Sequence, residues 1–304
     1  MSDQKRSQRF IKLIPLIICI IFGFTYEAFA QSLDVRPFNP EIDPDINMYM
    51  NNWRNSQPRK THGGLIERDV LYKGNPEKPT RQGAVLKYVN RFTHASLYPR
   101  ASTQPVTLSG EQEIFYVISG NGTITSGDRT AELYSGIFVL IPDKCSFTMT
   151  NTGDDFLNMY LIVEPVVRDD FVPEKEMIVV DENKLPILTT TGHWSMIIKQ
   201  AFNLKKELSV IEYVNAITFD PMTIGQPHSH NAGCEEVWTC IEGETLLFFG
   251  KQLRMQTPGT AYMIPIDGNT PHSNINHTDK PVKLLYFSVF KFLEEKDGIK
   301  RSKD

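Results

Sequence analysis

Two stretches in the second half of the chain decide the expected fold. They read Gly225-Gln-Pro-His228-Ser-His230-Asn-Ala-Gly-Cys-Glu-Glu236-Val-Trp-Thr-Cys-Ile-Glu-Gly243 and Gly259-Thr-Ala-Tyr-Met-Ile-Pro265-Ile-Asp-Gly-Asn-Thr-Pro-His272-Ser-Asn-Ile-Asn276. Residues two apart on an extended segment point to the same side, so His228 and His230 share a face. A strand that begins near Glu236 brings its carboxylate alongside them. Three imidazoles with one carboxylate suit a divalent ion such as Mn, Fe, Ni or Zn, and we expect one metal site formed by His228, His230, Glu236 and His272.

The order and spacing of these residues resemble the two motifs of the cupin superfamily. The first motif runs from Gly through His-x-His and Glu to Gly, and the second runs from Gly through Pro and His to Asn. Glu236 keeps the motif's distance to Gly243, but five residues separate it from His230, one more than the motif allows. Glu235 would restore that gap and lose the distance to Gly243, and we therefore favour Glu236 while leaving Glu235 open.

An internal repeat extends the resemblance to most of the chain. Short alternating apolar runs broken by turn residues begin near Val85 and return after residue 205, which is typical of strands. Four residues of the first half recur 123 positions later. They are Glu113, Gly120, Gly136 and Pro142, and they match Glu236, Gly243, Gly259 and Pro265. The repeat predicts two tandem copies of one β unit, and the resemblance implies an all-β bicupin of two jelly-roll (double-stranded β-helix) barrels.

The first copy lacks the imidazoles of the second. Ser102 to Thr107 occupy the place of the His pair, Phe147 occupies the place of His272, and Glu113 alone remains. One carboxylate without imidazoles binds a transition metal poorly. The sequence therefore predicts a structural first barrel and one metal ion per chain.

The start of the chain has the pattern of a secretory signal. A basic segment from Lys5 to Lys12 precedes an apolar run from Leu13 to Phe24, and Ala28-Phe-Ala30 offers a cleavage site. We expect an exported protein, periplasmic or secreted, with no membrane span after cleavage. The predicted segments are a signal peptide (1–30), an extended N-terminal arm with little structure of its own (31–83), a first cupin domain without metal (84–165), a linker (166–206), a metal-binding second cupin domain (207–292) and a C-terminal tail (293–304).

Composition restricts the partners that we expect. The chain has 304 residues, of which 40% are hydrophobic, enough for two cores, and its formal net charge is −4. Without a basic excess, the sequence does not favour a nucleic-acid partner. Two copies in one chain can satisfy a barrel-to-barrel contact internally, so both a monomer and a homodimer fit.

The expected chemistry concerns a small molecule. Trp238 and Cys240 have the parity of Glu236, which makes them candidates for a substrate pocket. Tyr262 is a third candidate, expected on the opposite strand, and its direction is left open. The resemblance implies a metal-dependent enzyme that acts on a small oxygenated molecule, of the dioxygenase, decarboxylase or lyase type. A non-catalytic periplasmic carbohydrate- or carboxylate-binding protein, a sugar isomerase and a purely structural metal remain alternatives. No catalytic group beyond the metal ligands is predicted.

Overall fold

The computed structural model describes residues 36–188 and 195–290, which are almost entirely β-strand. The predicted signal peptide and C-terminal tail lie outside these ranges. Within them, no helix has the length and apolar character needed to cross a membrane.

The strands follow one another in a simple order. They are β1 (Met50–Asn52), β2 (Arg59–Thr61), β3 (Leu65–Lys73), β4 (Ala84–Leu86), β5 (Arg91–Leu97), β6 (Val106–Thr107), β7 (Glu111–Ser119), β8 (Gly122–Ser126), β9 (Arg129–Leu133), β10 (Ile137–Ile141), β11 (Ser146–Asn151), β12 (Leu157–Pro165), β13 (Ile178–Asp181), β14 (Met196–Asn203), β15 (Tyr213–Phe219), β16 (Thr223–Ile224), β17 (Cys234–Glu242), β18 (Thr245–Phe249), β19 (Gln252–Gln256), β20 (Thr260–Met263), β21 (His272–Asn276) and β22 (Val282–Phe290). Three single-turn 3-10 helices are Ile46–Tyr49, Trp53–Asn55 and Glu182–Lys184.

Four sheets build two similar units. The first unit consists of a large sheet and a small sheet. The large sheet has the order β13-β10-β7-β12-β5-β3-β2, and β4 pairs in parallel with β3; the small sheet has the order β6-β11-β8-β9. The second unit pairs β1-β20-β17-β22-β15-β14 with β16-β21-β18-β19. The strands β7 and β17 each span nine residues at an offset of 123, so the sequence repeat corresponds to two tandem units.

The large sheet of each unit includes one strand that lies, in sequence, just before the other unit. β1 lies ahead of the first unit but pairs with β20 of the second, and β13 lies ahead of the second unit but pairs with β10 of the first. The turns after these two strands approach Gly259 and Gly136, whose φ angles of 90° and 93° favour glycine. A Cβ at Gly259 would lie 2.6 Å from Nε1 of Trp53. The units are therefore joined by exchanged strands as well as by packing.

The arm contains more regular structure than the sequence predicts. β3 is nine residues long and pairs with β5 in the large sheet of the first unit. Its central residues, Glu67-Arg-Asp69, are all charged, so the sequence of β3 lacks the apolar alternation expected of a strand. Glu67 is nevertheless fully buried, because Arg59 and Thr61 contact its carboxylate.

The apolar residues form two clusters. The interior of the first unit contains Phe115 and Phe147, whose rings meet edge to face at 5.7 Å. The second cluster combines the interior of the second unit with the contact between units, where Phe92 meets Phe287 at 5.0 Å. Consequently, the large sheets are buried on both faces, with the other unit covering the face turned away from each interior.

Candidate metal centre

The four predicted ligand residues meet at one end of the interior of the second unit. The nitrogen atoms of His228, His230 and His272 that could bind an ion all lie within 4.8 Å of one another. Glu236 lies against two of these rings, with its Oε2 2.6 Å from Nε2 of His230 and its Oε1 3.1 Å from Nε2 of His272. The structure thus brings together three imidazoles and one carboxylate from β17, β21 and the loop before β17.

Backbone pairing fixes two of the three histidines. His228 and His272 form an isolated antiparallel bridge, in which each N–H donates to the other carbonyl, at 3.3 and 2.9 Å. The Nδ1 of His228 lies 2.8 Å from the carbonyl oxygen of Gln226. A carbonyl only accepts, so this nitrogen carries the proton and Nε2 is the atom that can bind an ion.

The unusual spacing in both motifs has a structural explanation. The loop before β17 and the long turn between Pro265 and His272 contact each other, and the Gly233 N–H donates to the Ile266 carbonyl at 2.9 Å. Gly268 has a φ of 78°, and a Cβ there would lie 2.8 Å from the backbone nitrogen of Ala232. The extra residue before Glu236 and the extra residues in the turn therefore pack against each other beside the His cluster.

The Glu236 carboxylate has partners on its own strand and on β22. The Trp238 indole donates to Oε1 at 2.5 Å, and the Tyr286 hydroxyl donates to Oε2 at 3.2 Å. Burial alone would raise the pKa of Glu236, but the charges and contacts of His230 and His272 hold it well below its ordinary value. Glu236 is therefore ionised at neutral pH and held in a fixed orientation.

The two buried imidazoles respond differently to that carboxylate. Burial lowers the pKa of His272 to about 4 despite the nearby Glu236. Burial also lowers the pKa of His230, but the charge and contact of Glu236 more than offset this effect and leave the pKa raised. His272 is thus a neutral imidazole at pH 7, the form that binds a metal ion.

Several buried nitrogens at this centre have no hydrogen-bond partner. Nε2 of His230 and both ring nitrogens of His272 are buried, and no residue in the described part of the chain gives them a contact of hydrogen-bond geometry. Their close approaches to Glu236 are short but badly directed. Buried polar atoms are nearly always paired, and imidazole nitrogens with a carboxylate are a donor set for a first-row divalent ion. The residues therefore fit a metal ion.

Glu235 lies on the opposite face of β17. It is fully buried at the contact between units, where its carboxylate accepts from the backbone N–H groups of Lys87 and Tyr88 at 2.7 and 2.9 Å and of Val89 at 3.4 Å. Burial raises the pKa of Glu235, although these hydrogen bonds lower it in part. The side chain is thus occupied in joining the units, on the face opposite the histidines.

The three predicted pocket residues are all buried, but only one of them contacts a residue of the cluster. Trp238 lies next to it through its contact with Glu236. Tyr262 donates to Oδ1 of Asn274 at 2.7 Å, and the Cys240 thiol faces the carbonyl of Gly243 at 3.4 Å. Contact with a substrate remains a prediction for all three.

Sequence reasoning missed two residues at the cluster. Cys234 can place its sulfur within 4.8 Å of His230 and Glu236 ligand atoms. Burial, with the charges of Glu236 and Glu235, raises the pKa of Cys234, so its thiol stays protonated in the metal-free protein. Tyr286 lies in the nearly continuous apolar run of β22, where alternation gives no signal for which side chains face the interior.

In the first unit, side chains from other elements occupy the corresponding position. Nε2 of His62, from the turn between β2 and β3, lies 3.1 Å from both oxygens of Glu113. Arg91 contacts the same carboxylate at 2.9 Å. No pattern in the sequence indicates this contact between His62 and Glu113. Glu113 is thus paired with a guanidinium and an imidazole.

Comparison with known proteins gives a fold and no close relative. No protein-family model and no curated protein matches the sequence. Among solved structures, a 7S globulin from Momordica charantia has a TM-score of 0.60 at 12% identity, over 80% of this chain and 84% of that one. An oxalate decarboxylase from Lactobacillus farciminis, solved as a formate complex, has a TM-score of 0.58 at 13% identity, over 83% of this chain and 94% of that one. A variant oxalate decarboxylase from Bacillus subtilis has a TM-score of 0.58 at 13% identity, over 88% and 94%.

These neighbours are a globulin and oxalate decarboxylases, so their likeness identifies an architecture and no single activity. The predicted all-β architecture of two tandem jelly-roll units is confirmed. The chain has the bicupin fold.

Proposed function

We propose that the second unit binds one divalent transition metal ion, Mn, Fe, Ni or Zn, through His228, His230, His272 and Glu236. On this basis, the chain is a metal-dependent enzyme that acts on a small oxygenated molecule by a dioxygenase, decarboxylase or lyase reaction. The observation that supports it is the meeting of three imidazoles with an ionised carboxylate, where three buried ring nitrogens lack a partner. The first unit has no comparable group of ligand atoms among the described residues.

The protein's own groups define what such a site can do. A bound ion supplies a Lewis acid for a substrate oxygen. Trp238 and Tyr286 fix the Glu236 carboxylate by two hydrogen bonds, and the Gln226 carbonyl fixes the tautomer of His228. Partners of this kind orient ligands and strengthen metal binding.

Metal analysis of the purified protein tests the proposal. We expect about one equivalent of a transition metal, and loss of most of it in His228→Ala, His230→Ala and His272→Ala. His277→Ala is the matched control, because this histidine is partly exposed beside Glu244, away from the cluster. A stoichiometry near two, or a His272→Ala variant that keeps its metal, would contradict the assignment.

Oxygen uptake separates the reaction types. Uptake with phenolic or keto-acid substrates supports a dioxygenase. Tightly held Zn without uptake supports a lyase, a sugar isomerase or the second candidate, a non-catalytic periplasmic protein that binds a carbohydrate or carboxylate. The fold is compatible with that candidate, because a 7S globulin, whose name states no enzymatic activity, has a similar structure.

The cellular location and the assembly belong to the same proposal. The pattern of residues 1–30 supports export to the periplasm or the medium, and N-terminal sequencing of the mature protein is expected to begin at Gln31. The exchanged strands β1 and β13 give each unit a partner within the chain, so we propose a monomer or a homodimer, and light scattering distinguishes the two.

A further inference from the structure

The wall of the second unit beside the cluster consists of two polar rows. Strand register places Tyr213, Ser288 and Glu236 directly opposite one another across β15, β22 and β17. The next row inward continues with Asn215, Tyr286, Trp238 and Tyr262. Directly opposed residues share a face, and the Tyr286 hydroxyl reaches Glu236, so both rows face the interior. The third row is apolar, with Ile217, Leu284 and Cys240.

Two polar atoms on these rows are buried without partners. Asn215 is 6% exposed and Ser288 is fully buried, and neither Oδ1 of Asn215 nor Oγ of Ser288 has a hydrogen-bond partner among the described residues. The Tyr286 hydroxyl lies near Ser288 and donates to Glu236, but it makes no contact of hydrogen-bond geometry with Oγ of Ser288. With the three imidazole nitrogens, five unpaired buried atoms belong to this one region. Such clustering indicates a bound molecule, because buried polar groups are normally satisfied.

The first unit provides an internal comparison. Its register puts Arg91, Val163 and Glu113 in the matching outer row, and Thr93, Leu161 and Phe115 in the next. Valine and leucine thus stand where the second unit has Ser288 and Tyr286. The polar residues that remain in these rows of the first unit are paired, Arg91 with Glu113 and Thr93 with Glu67. Unpaired polar atoms at the Asn215 and Ser288 positions therefore occur only in the unit that has the imidazoles, among the described residues.

We infer that Asn215 and Ser288 bind a hydroxyl group of the substrate, whose carboxylate or other oxygen is held at the metal centre. This inference rests on the proposed function. Oδ1 of Asn215 accepts and Oγ of Ser288 both donates and accepts, which together match an O–H group. The two rows contain no Lys or Arg that could pair with a second carboxylate, and an unpaired buried charge is costly. The ligand class is therefore a small hydroxy compound with at most one negative charge.

Paired ligands that differ by one group test the inference. Isothermal titration calorimetry of the metal-loaded protein would compare 3-hydroxypropionate with propionate and with malonate, in which a second carboxylate replaces the hydroxymethyl group. We expect 3-hydroxypropionate to bind more tightly than propionate by about fivefold, the size of one net hydrogen bond, and more tightly than malonate. In Asn215→Leu and in Ser288→Ala the preference over propionate should fall toward one.

Thr239→Val is the matched control. Thr239 is a buried hydroxyl residue of β17 whose Oγ1 also lacks a partner, but it has the parity of Glu235 and faces the first unit. Its variant should keep the wild-type preference. The inference would be overturned if the preference for 3-hydroxypropionate persisted in both site variants. It would also be overturned if metal-loaded wild type bound the two monocarboxylates equally or bound neither. Either result would indicate trapped water instead. Tighter binding of malonate would overturn the charge limit. Metal content measured on the same samples separates these outcomes, since a protein without metal contradicts the proposed function itself.

Discussion

Replacing Glu235 by alanine separates the stability of the fold from the metal centre. This carboxylate and the Glu236 carboxylate are neighbours in sequence, but they face opposite sides of β17. Glu235 accepts three backbone N–H groups from Lys87, Tyr88 and Val89 of the first unit. We expect Glu235→Ala to leave about one metal ion per chain and to destabilise the protein, whereas Glu236→Ala should weaken metal binding.

The size of the destabilisation follows from those three N–H groups. An unsatisfied buried donor costs about 1–3 kcal/mol, and water that enters the space left by the carboxylate recovers part of this. Removing a buried carboxyl group also returns its desolvation cost. We expect a net decrease in the free energy of unfolding of about 3 kcal/mol, or roughly 6–12 °C in melting temperature for a chain of this size.

Urea unfolding of the chelator-treated protein measures this effect without the contribution of bound metal. Glu164→Ala is the matched control in the first unit, because Glu164 accepts from the backbone N–H groups of Ser209, Val210 and Ile211, each at 2.8 Å. It should cost a similar amount. If Glu235→Ala instead removed the metal and left unfolding unchanged, the orientation of β17 would be wrong by one residue.

Three further variants probe the surroundings. His62→Ala removes the imidazole beside Glu113 and should lower the free energy of unfolding by about 2 kcal/mol in urea with unchanged metal content; an unaltered urea midpoint would show that the contact contributes nothing. Tyr286→Phe removes one donor to Glu236 and should weaken metal binding by about tenfold in a chelator competition, while unchanged affinity would show that Trp238 suffices. Burial, with Arg54 and Arg68, lowers the pKa of His94 to about 4. As the pH falls, the unfolded chain therefore takes up this proton first, and the free energy of unfolding should decrease between about pH 6.5 and 4 by up to about 3 kcal/mol. His94→Gln should flatten that part of the pH profile of urea unfolding, and an identical slope would refute the expectation.

The sequence was sufficient where a local pattern carried the information. The offset of 123 positions shared by Glu113 and Glu236 predicted two units, and the spacing of the histidines identified a set of side chains that the fold brings together. Once Glu236 is taken as the ligand, alternation along a strand turns Glu235 away from the histidines. The partners of Glu235 are the backbone N–H groups of residues 87–89. These residues are distant in sequence, and a local pattern cannot predict such a contact.

Two strands, β3 and β22, lack the alternation of apolar and polar residues from which the direction of their side chains could be predicted. In β3 the cause is a buried charged residue, and in β22 it is burial on both faces. β3 was missed because Glu67 is buried by pairing with Arg59, and pairs of this kind are invisible until both partners are placed. β22 reads as apolar throughout because one face packs on the other unit, so the inward direction of Tyr286 and Ser288 could not be assigned from sequence.

The two units show how one scaffold gives two different sites. Both have an inward glutamate at the same position of the same strand, Glu113 and Glu236. In the first unit, a turn of the preceding segment supplies His62, and β5 supplies Arg91, so the carboxylate is already paired by a cation that cannot be displaced without leaving a buried charge alone. In the second unit, the loop before β17 and the start of β21 supply imidazoles whose buried nitrogens are left unpaired. The difference arises from the connecting segments, while the strands of the scaffold remain equivalent, and this explains why the architecture alone does not give the activity.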